Sequence, residues 1–287
     1  MEQKSFQTSE YGKLYLVPTP IGNLDDMTIR AVSTLKEVDL IAAEDTRHSG
    51  ILLQHFQIKK DLISLHEHNY AQRVPELVDK LKKGLNIAQI SDAGMPSISD
   101  PGHELVLAAI QNGVDVISLP GPSAGITALI ASGLPADKFT FIGFLSKKDS
   151  EQKKQLEELI PLDSTLIFYE SPFRVGKTLE NVLAIFGEKT KVVLARELTK
   201  KFESYYRGDI TQALNFIKSN RPRGEFVLLI RKIHETIVPS DKLIVDLIDE
   251  RIASGTKPID AIKAVAKLSG LIRADVYKIY HKEKNDV

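Results

Sequence analysis

Eight short apolar runs, separated by segments of helical period, constrain this chain more than any other feature. They are Leu14–Val17, Leu40–Ala43, Asn86–Ile90, Val114–Leu119, Thr140–Phe144, Thr165–Tyr169, Lys191–Ala195 and Glu225–Ile230. Most are apolar throughout rather than alternating, the pattern of strands buried on both faces. The intervening segments have legible ends. Asp26 is positioned to cap a helix carrying Ile29, Val32 and Leu35, and Asp209 to cap Ile210–Ser219. Gly84, Gly113 and Gly187 stand where a helix end favours a left-handed residue. Repeated β–α units predict a largely parallel sheet covered by helices.

A second punctuation follows the helical stretch Ala124–Ser132, where Gly133, Pro135 and Asp137 precede a new strand. We therefore expect an N-terminal tail over 1–12, an α/β domain over 13–134, a second over 135–234 and a helical domain over 239–287. In the last, Leu243–Ile252, Ile259–Leu268 and Asp275–Tyr280 read as helices, and Gly270 as the turn of a helix-turn-helix. From Lys257 to Lys284 there are seven Lys/Arg and three acids. That excess suits either a solvated helical cap or contact with nucleic acid.

Composition narrows the function classes. The 287 residues carry 38 basic and 38 acidic side chains, so a nucleic-acid claim has to rest on local patches. With no cysteine, disulfides and thiolate zinc sites are excluded. Residues 1–13 lack the apolar stretch of a secretory signal, and no run approaches the ~20 residues of a membrane span. A cytoplasmic location is expected.

Chemistry concentrates in four loops at strand ends, the edge where parallel sheets collect ligands. Val17–Leu24 places Gly22 beside Pro18 and Pro20, either as a close approach to a ligand or as an ordinary tight turn. No G-x-G occurs, which argues against a standard dinucleotide site. Ser91–Gly102 packs two Asp, three Ser and two Gly into twelve residues. In it Asp92 can accept hydrogen bonds from a ribose, Gly94 permits close approach, and Asp100-Pro101 starts the next helix. In Leu119–Gly125, Ser123 either caps the following helix or meets a ligand. Ile41–His48 offers Glu44 and Asp45 as carboxylates for a cation or a base, or Asp45 simply as a helix cap. Two other segments mimic known sites. Ser171–Thr178 resembles a phosphate-binding P-loop, but Ser171 replaces the first glycine and Pro172 removes an N–H from the cradle. His66-Glu67-His68 lacks an evident third metal ligand.

As an ordered set, these segments resemble the tetrapyrrole methylase superfamily of S-adenosylmethionine-dependent methyltransferases, and within it the branch that methylates ribose 2′-hydroxyls of ribosomal RNA. The match is carried by Thr19–Leu24, Ala43–His48, Ser91–Gly94 with Pro96, Ser99–Gly102, Pro120–Pro122, Phe168–Pro172 with Arg174, and Ala195–Lys200. Met95 and Phe173 depart from the family's usual Thr and His. The resemblance implies two α/β/α sandwich domains with a cofactor cleft between them, plus the small helical domain. It implies S-adenosyl-L-methionine as donor, held by Pro20, Ile21, Gly22, Asp92, Ala93, Gly94, Met95, Ser123, Ala124, Tyr169, Leu198 and Phe226. It also implies a homodimer, no metal, and a cytidine of small-subunit ribosomal RNA, free or in the assembled subunit, as acceptor. On this reading Glu170 or Glu197 serves as base, Arg174 and Lys200 hold phosphate, and Tyr205 and Tyr206 stack on an unpaired base. A tetrapyrrole methylase and a non-catalytic binding module are the rival readings.

Overall fold

The computed structural model describes residues 3, 5, 7, 10–220, 223–232, 240–269 and 271–285, with side chains of the last helix described through Lys282. The chain divides into two units, Met1–Lys232 and Ile233–Val287. Most of the tail over 1–12, and Arg221, Pro239 and Gly270, lie outside the described residues, as do the side chains of Glu283 and Lys284.

The first unit contains two five-stranded sheets. Sheet one is built from β1 (Leu14–Leu16), β2 (Leu40–Ala43), β3 (Leu62–Ser64), β4 (Ile87–Ile90) and β5 (Val116–Ser118) in the order β3-β2-β4-β1-β5. All its pairs are parallel. Alternation within the apolar runs sends side chains to both faces. Ile41 and Ala43 pack with Ala31 and Leu35 of α1 (Ile29–Glu37) and Leu53 of α2 (Thr46–His55). Ala42 and Ile87 pack with Leu77 and Leu81 of α3 (Tyr70–Lys82) and Leu105 and Ala109 of α4 (His103–Gln111). Because β4 enters between β2 and β1 and the chain then crosses to β5, the strand order reverses at β1 and β4, where a crevice opens beyond the carboxyl ends.

Sheet two differs from the largely parallel arrangement expected. It runs β6 (Phe139–Phe144), β7 (Thr165–Glu170), β10 (Phe226–Arg231), β8 (Lys191–Arg196), β9 (Ser204–Asp209), and only β6 and β7 are parallel. The short connection from β8 to β9 makes a hairpin, since a parallel return needs a crossover of a dozen or more residues. The polar edge strand β9 and the brief β3 carry too weak an apolar signal to stand out in the sequence. One face of sheet two is covered by α6 (Asp149–Glu158), α7 (Val175–Phe186) and α8 (Ile210–Ser219). The other is covered by α5 (Ala124–Ser132), whose Ala128 and Leu129 pack on Ile167, Val193 and Leu229. Thus α5, which follows the last strand of sheet one, contributes its core residues to sheet two.

The caps follow local chemistry. Asp209 forms a reciprocal capping box with Gln212, and Asp45 caps α2 through Arg47 N–H. Gly84, Gly113 and Gly187 have positive φ of 92°, 73° and 83°. Asp26 does not cap α1: it lies in a 3-10 turn (Leu24–Asp26), and Thr28 accepts from Ala31 N–H instead. Ser123 occupies the N-cap of α5 without making a side-chain capping bond.

The second unit is formed by α9 (Asp241–Ala253), α10 (Pro258–Ser269) and α11 (Arg273–Asn285) around Ile244, Ile248, Ile262, Val265 and Val276. No helix among the described residues is long and apolar enough to cross a membrane.

Candidate active site

The loops leaving β1 and β4 are bonded to each other. Thr19 N–H donates to Gly94 O at 2.9 Å, and Gly94 N–H returns to Thr19 O at 3.0 Å. The buried Thr19 hydroxyl donates to Ser91 O at 3.0 Å. Gly94 has φ +79°, and a Cβ there would stand 3.3 Å from Ile21 Cγ2 and 3.6 Å from Pro122 O, so all three loops converge on it. Farther along the second loop, buried Gln89 donates to Ser97 Oγ at 2.9 Å and Pro101 O at 3.3 Å. A Cβ on Gly102 would collide with that amide. Gln89 therefore fixes the path of Ser99 and Asp100.

Sheet two answers with the hairpin between β8 and β9. Glu197 and Thr199 both adopt left-handed backbone, with φ 51° and 65°. Such conformations cost about 1–3 kcal/mol each and persist only where surroundings impose them. Here Glu197 accepts from Glu225 N–H and from Lys200 Nζ, both at 3.0 Å, and Lys200 also reaches Glu225 at 2.7 Å. The braced segment presses on the first loop: a Cβ on Gly22 would lie 2.5 Å from Lys200 Cγ and 2.9 Å from Thr199 Oγ1.

Between these loops lies a cavity of about 410 Å³, within the usual range for small-molecule sites. Nine of the twelve residues expected to contact a cofactor line it: Ile21, Ala93, Gly94, Met95, Ser123 and Ala124 from sheet-one loops, and Tyr169, Leu198 and Phe226 from sheet two. Pro20, Gly22 and Asp92 are not in the lining. Asp92 Oδ1 accepts from Asp45 N–H at 3.3 Å, and its own N–H donates to Glu44 at 3.4 Å, so it ties β4 to the start of α2. Of the expected catalytic residues only Glu170 reaches the lining.

The electrostatics are uneven. Burial pushes the Asp100 carboxyl above the ordinary carboxylate range, and the Asp92 charge pushes it further. Glu44 is raised by burial first and then by Asp100. Tyr169, whose oxygen accepts from Gly125 N–H at 3.3 Å, has its phenol raised by burial. A largely apolar cavity thus carries the half-buried Asp100 and Tyr169 in its lining.

A family model described as Tetrapyrrole (Corrin/Porphyrin) Methylases matches residues 13–214. The chain belongs to the tetrapyrrole methylase family. It is a methyltransferase, and its methyl donor is S-adenosyl-L-methionine. Ribosomal RNA small subunit methyltransferase I of Streptococcus pyogenes serotype M18 is 50% identical over 283 residues, covering 97% of this chain and 98% of that one. The protein of the same name from Halalkalibacterium halodurans is 46% identical over 287 residues, covering 98% and 99%. Uroporphyrin-III-C-methyltransferase from Thermus thermophilus superposes with a TM-score of 0.55 at 21% identity, over 76% of this chain and 94% of that one, a likeness of fold.

The residues present in this tetrapyrrole methylase fit such a donor. The wall at Gly94 has no side chain where a Cβ would crowd Ile21, and the Ser123 hydroxyl has no capping duty. Leu198, Phe226 and Val227 offer apolar surface, and the Asp100 carboxyl suits a cation.

The residues expected to act on the substrate have partners within the protein. The Glu170 side chain is only 1% exposed and accepts from Ser171 N–H at 2.8 Å and the Thr178 hydroxyl at 2.6 Å, with Arg174 at 3.7 Å. It is a buried anchor for the start of α7, and it occupies the turn that resembles a P-loop. Arg174 donates to Leu145 O and Ser146 O at 2.9 and 2.7 Å, so its guanidinium holds protein backbone rather than standing free for phosphate. Glu197 is held below its ordinary range, first by Glu225 N–H and then by Lys200, which weakens it as a base. Tyr206 stacks on Phe216 with centroids 4.6 Å apart, and Tyr205 lies 4.8 Å from the Arg207 guanidinium, so both rings already have partners. Among the described residues no acidic, His or Cys group could hold a metal, and His68 simply neighbours Glu67 at 3.3 Å.

Sequence reasoning missed Ile98, Ser99, Asp100, Phe144, Ser171, Pro172, Ala195, Glu225 and Val227 in the lining. Asp100 belonged to the loop with the strongest polar signal and was assigned only to starting a helix. Ala195 and Val227 lie inside uniformly apolar strands, which leave no mark of facing a cavity.

Proposed function

We propose that this chain transfers a methyl group from S-adenosyl-L-methionine to the 2′-hydroxyl of a cytidine ribose in small-subunit ribosomal RNA. The supporting observation is the single cavity enclosed by loops of both sheets, in a chain half identical along nearly its whole length to ribosomal RNA small subunit methyltransferase I. The loop Pro20–Gly22, Ala93–Met95, Ser123–Ala124, Tyr169, Leu198 and Phe226 would hold the donor, with Asp92 tying β4 to the start of α2. When bound, the donor supplies an electrophilic methyl on a sulfonium, a ready leaving group.

The protein's own contribution is mainly placement. Apolar walls exclude water, and the loops joined through Thr19 and Gly94 fix one side of the site. The Glu197–Lys200–Glu225 brace fixes the other, and Glu170 with Arg174 sets the entry to α7. Holding two reactants in attack geometry is worth up to roughly 7–11 kcal/mol in the best intramolecular cases. Exposed aromatic side chains suit an unpaired base: Phe144 lines the cavity yet is 60% exposed, and Phe173, beside lining Pro172, is 94% exposed. Lys263, Lys267, Arg273, Lys278 and Lys282 are exposed in the second unit, where Tyr277 packs on His281 at 4.2 Å; this unit would add grip on phosphate. The functional division would follow lobes 13–134 and 135–234, in a cytoplasmic homodimer.

Nucleoside mass spectrometry of small-subunit RNA, before and after incubation with protein and donor, tests the reading. New 2′-O-methylcytidine is expected. A base-methylated nucleoside, or methylation of a tetrapyrrole in place of RNA, would overturn it.

A further inference from the structure

We propose that residues 144–148, which follow β6, form the lip over which the acceptor RNA enters the cavity: Phe144 stacks on the base of an unpaired nucleotide, and Lys147 binds a neighbouring phosphate. The proposal rests on the reading of the cavity as a site of ribose methylation and names the residues that grip the acceptor there. Ile98 and Phe144 are the large apolar side chains of the lining that stay mostly exposed, at 61% and 60%, so they stand where the cavity opens to solvent. A β-bulge sets the direction of Phe144. Phe141 pairs with Ile167 and Phe144 with Tyr169, three steps along β6 against two along β7, and Gly143 takes φ +76°. Plain alternation would continue the face of Phe141 to Gly143 and Leu145. The extra residue carries it to Phe144 instead. Phe141 and Phe144 therefore both meet the Tyr169 ring, with centroids 5.0 and 5.6 Å away.

Hydrogen bonds fix the backbone that follows. Arg174 donates to Leu145 O and Ser146 O at 2.9 and 2.7 Å, and Ser146 N–H donates to Gln155 Oε1 at 2.8 Å. The Ser146 hydroxyl donates to Glu151 at 2.9 Å and accepts from Lys148 N–H at 3.2 Å. Arg174 is thus a positioning residue for the lip. The nearby carboxylates are already paired, Glu151 with Lys148 and Asp149 with Lys153, both at 2.9 Å. Lys147 is exposed, and among the described residues no carboxylate pairs with it. A fixed turn therefore presents one apolar ring at the cavity mouth and one unpaired cation three residues on. A nucleotide outside a helix offers the complement of that pair, a flat base and an anionic backbone.

The test compares wild-type protein with F144A, F144Y and K147A. For F144A, single-turnover methyl transfer to limiting small-subunit RNA should fall about 5–150-fold, the loss of one base–aromatic stack, while S-adenosylhomocysteine binding by calorimetry stays within about threefold. F144Y, which keeps a ring, should restore more than half of the lost rate. For K147A, the slope of log RNA affinity against log salt, from filter binding, should become shallower by about 0.7, one phosphate contact to a single strand. A smaller fall in F144A, a fall matched by an equal loss of product binding, or F144Y no faster than F144A overturns the stacking role. An unmoved salt slope in K147A overturns the phosphate contact. Wild-type protein that transfers no methyl to RNA overturns the proposed acceptor instead. Filter binding then still judges the lip, and equal RNA affinity in wild type, F144A and K147A, or no RNA binding by wild type, overturns it.

Discussion

Replacing Thr178 by Val isolates the buried Glu170 network from the chemistry. The Thr178 hydroxyl is fully buried and donates to Glu170 Oε2 at 2.6 Å. Valine has nearly the same shape but leaves that carboxylate oxygen without its donor. A hydrogen bond to a charged group contributes about 1.5–3 kcal/mol. The added buried methyl returns about 0.8 kcal/mol. Gln152 Nε2, 3.3 Å from the same hydroxyl, keeps its second acceptor at Ser146 O and adds little. The net cost is about 1–2 kcal/mol, a fall in melting temperature of roughly 2–8 °C at the 2–4 °C per kcal/mol typical of large domains. Since the hydroxyl lies outside the cavity lining, donor affinity should hold within about threefold. Thermal melts paired with calorimetry of S-adenosylhomocysteine make the measurement. An unchanged melting temperature with a large loss of methyl transfer would refute the account of Glu170 as an anchor and return it to the chemistry.

Other outcomes follow from the same geometry. Gly22→Ala places a methyl 2.5 Å from Lys200 Cγ, so the braced hairpin must shift; overpacking of this kind costs about 1–3 kcal/mol, and donor binding should weaken with it because adjacent Leu198 lines the cavity, as read by melts and calorimetry. Phe173→Ala, at a 94% exposed position, should leave the melting temperature unchanged and weaken RNA binding in a filter assay. Asp100 and Glu44 have folded pKa values raised by burial. The folded state therefore favours their protonated forms. That stabilisation is present below about pH 4, the unfolded value, and is lost as pH rises through the raised folded values. Consequently D100N should melt higher than wild type at pH 7.5, by a margin that shrinks toward pH 4; a margin independent of pH would contradict the sign.

Apolar runs and glycines made most of the fold legible, and for a physical reason. A strand buried on both faces is apolar along its middle, as Leu40–Ala43 and the Leu166, Ile167 and Phe168 run of β7 are. What stayed hidden depends on partners distant in sequence. Nothing local in Ser204–Asp209 announces an edge strand, and the direction of β10 is set by its neighbours β7 and β8. The site divided in the same way. Gly94 and Ser123 were visible because loops that approach a ligand need unusual residues. The roles of Glu170, Arg174 and Asp100 were not, because a carboxylate or guanidinium in a sequence carries no sign of whether the fold encloses it with donors, spends it on backbone carbonyls, or leaves it facing a cavity.

The central claim is that loops from both sheets enclose one donor site. Ultraviolet crosslinking of methyl-labelled S-adenosyl-L-methionine, followed by peptide mapping, tests it most directly. Label should fall on peptides spanning 91–102 and 165–174 and be displaced by S-adenosylhomocysteine. Displaceable label confined to peptides of the second unit, or to one sheet's loops with none on the other's, would contradict it.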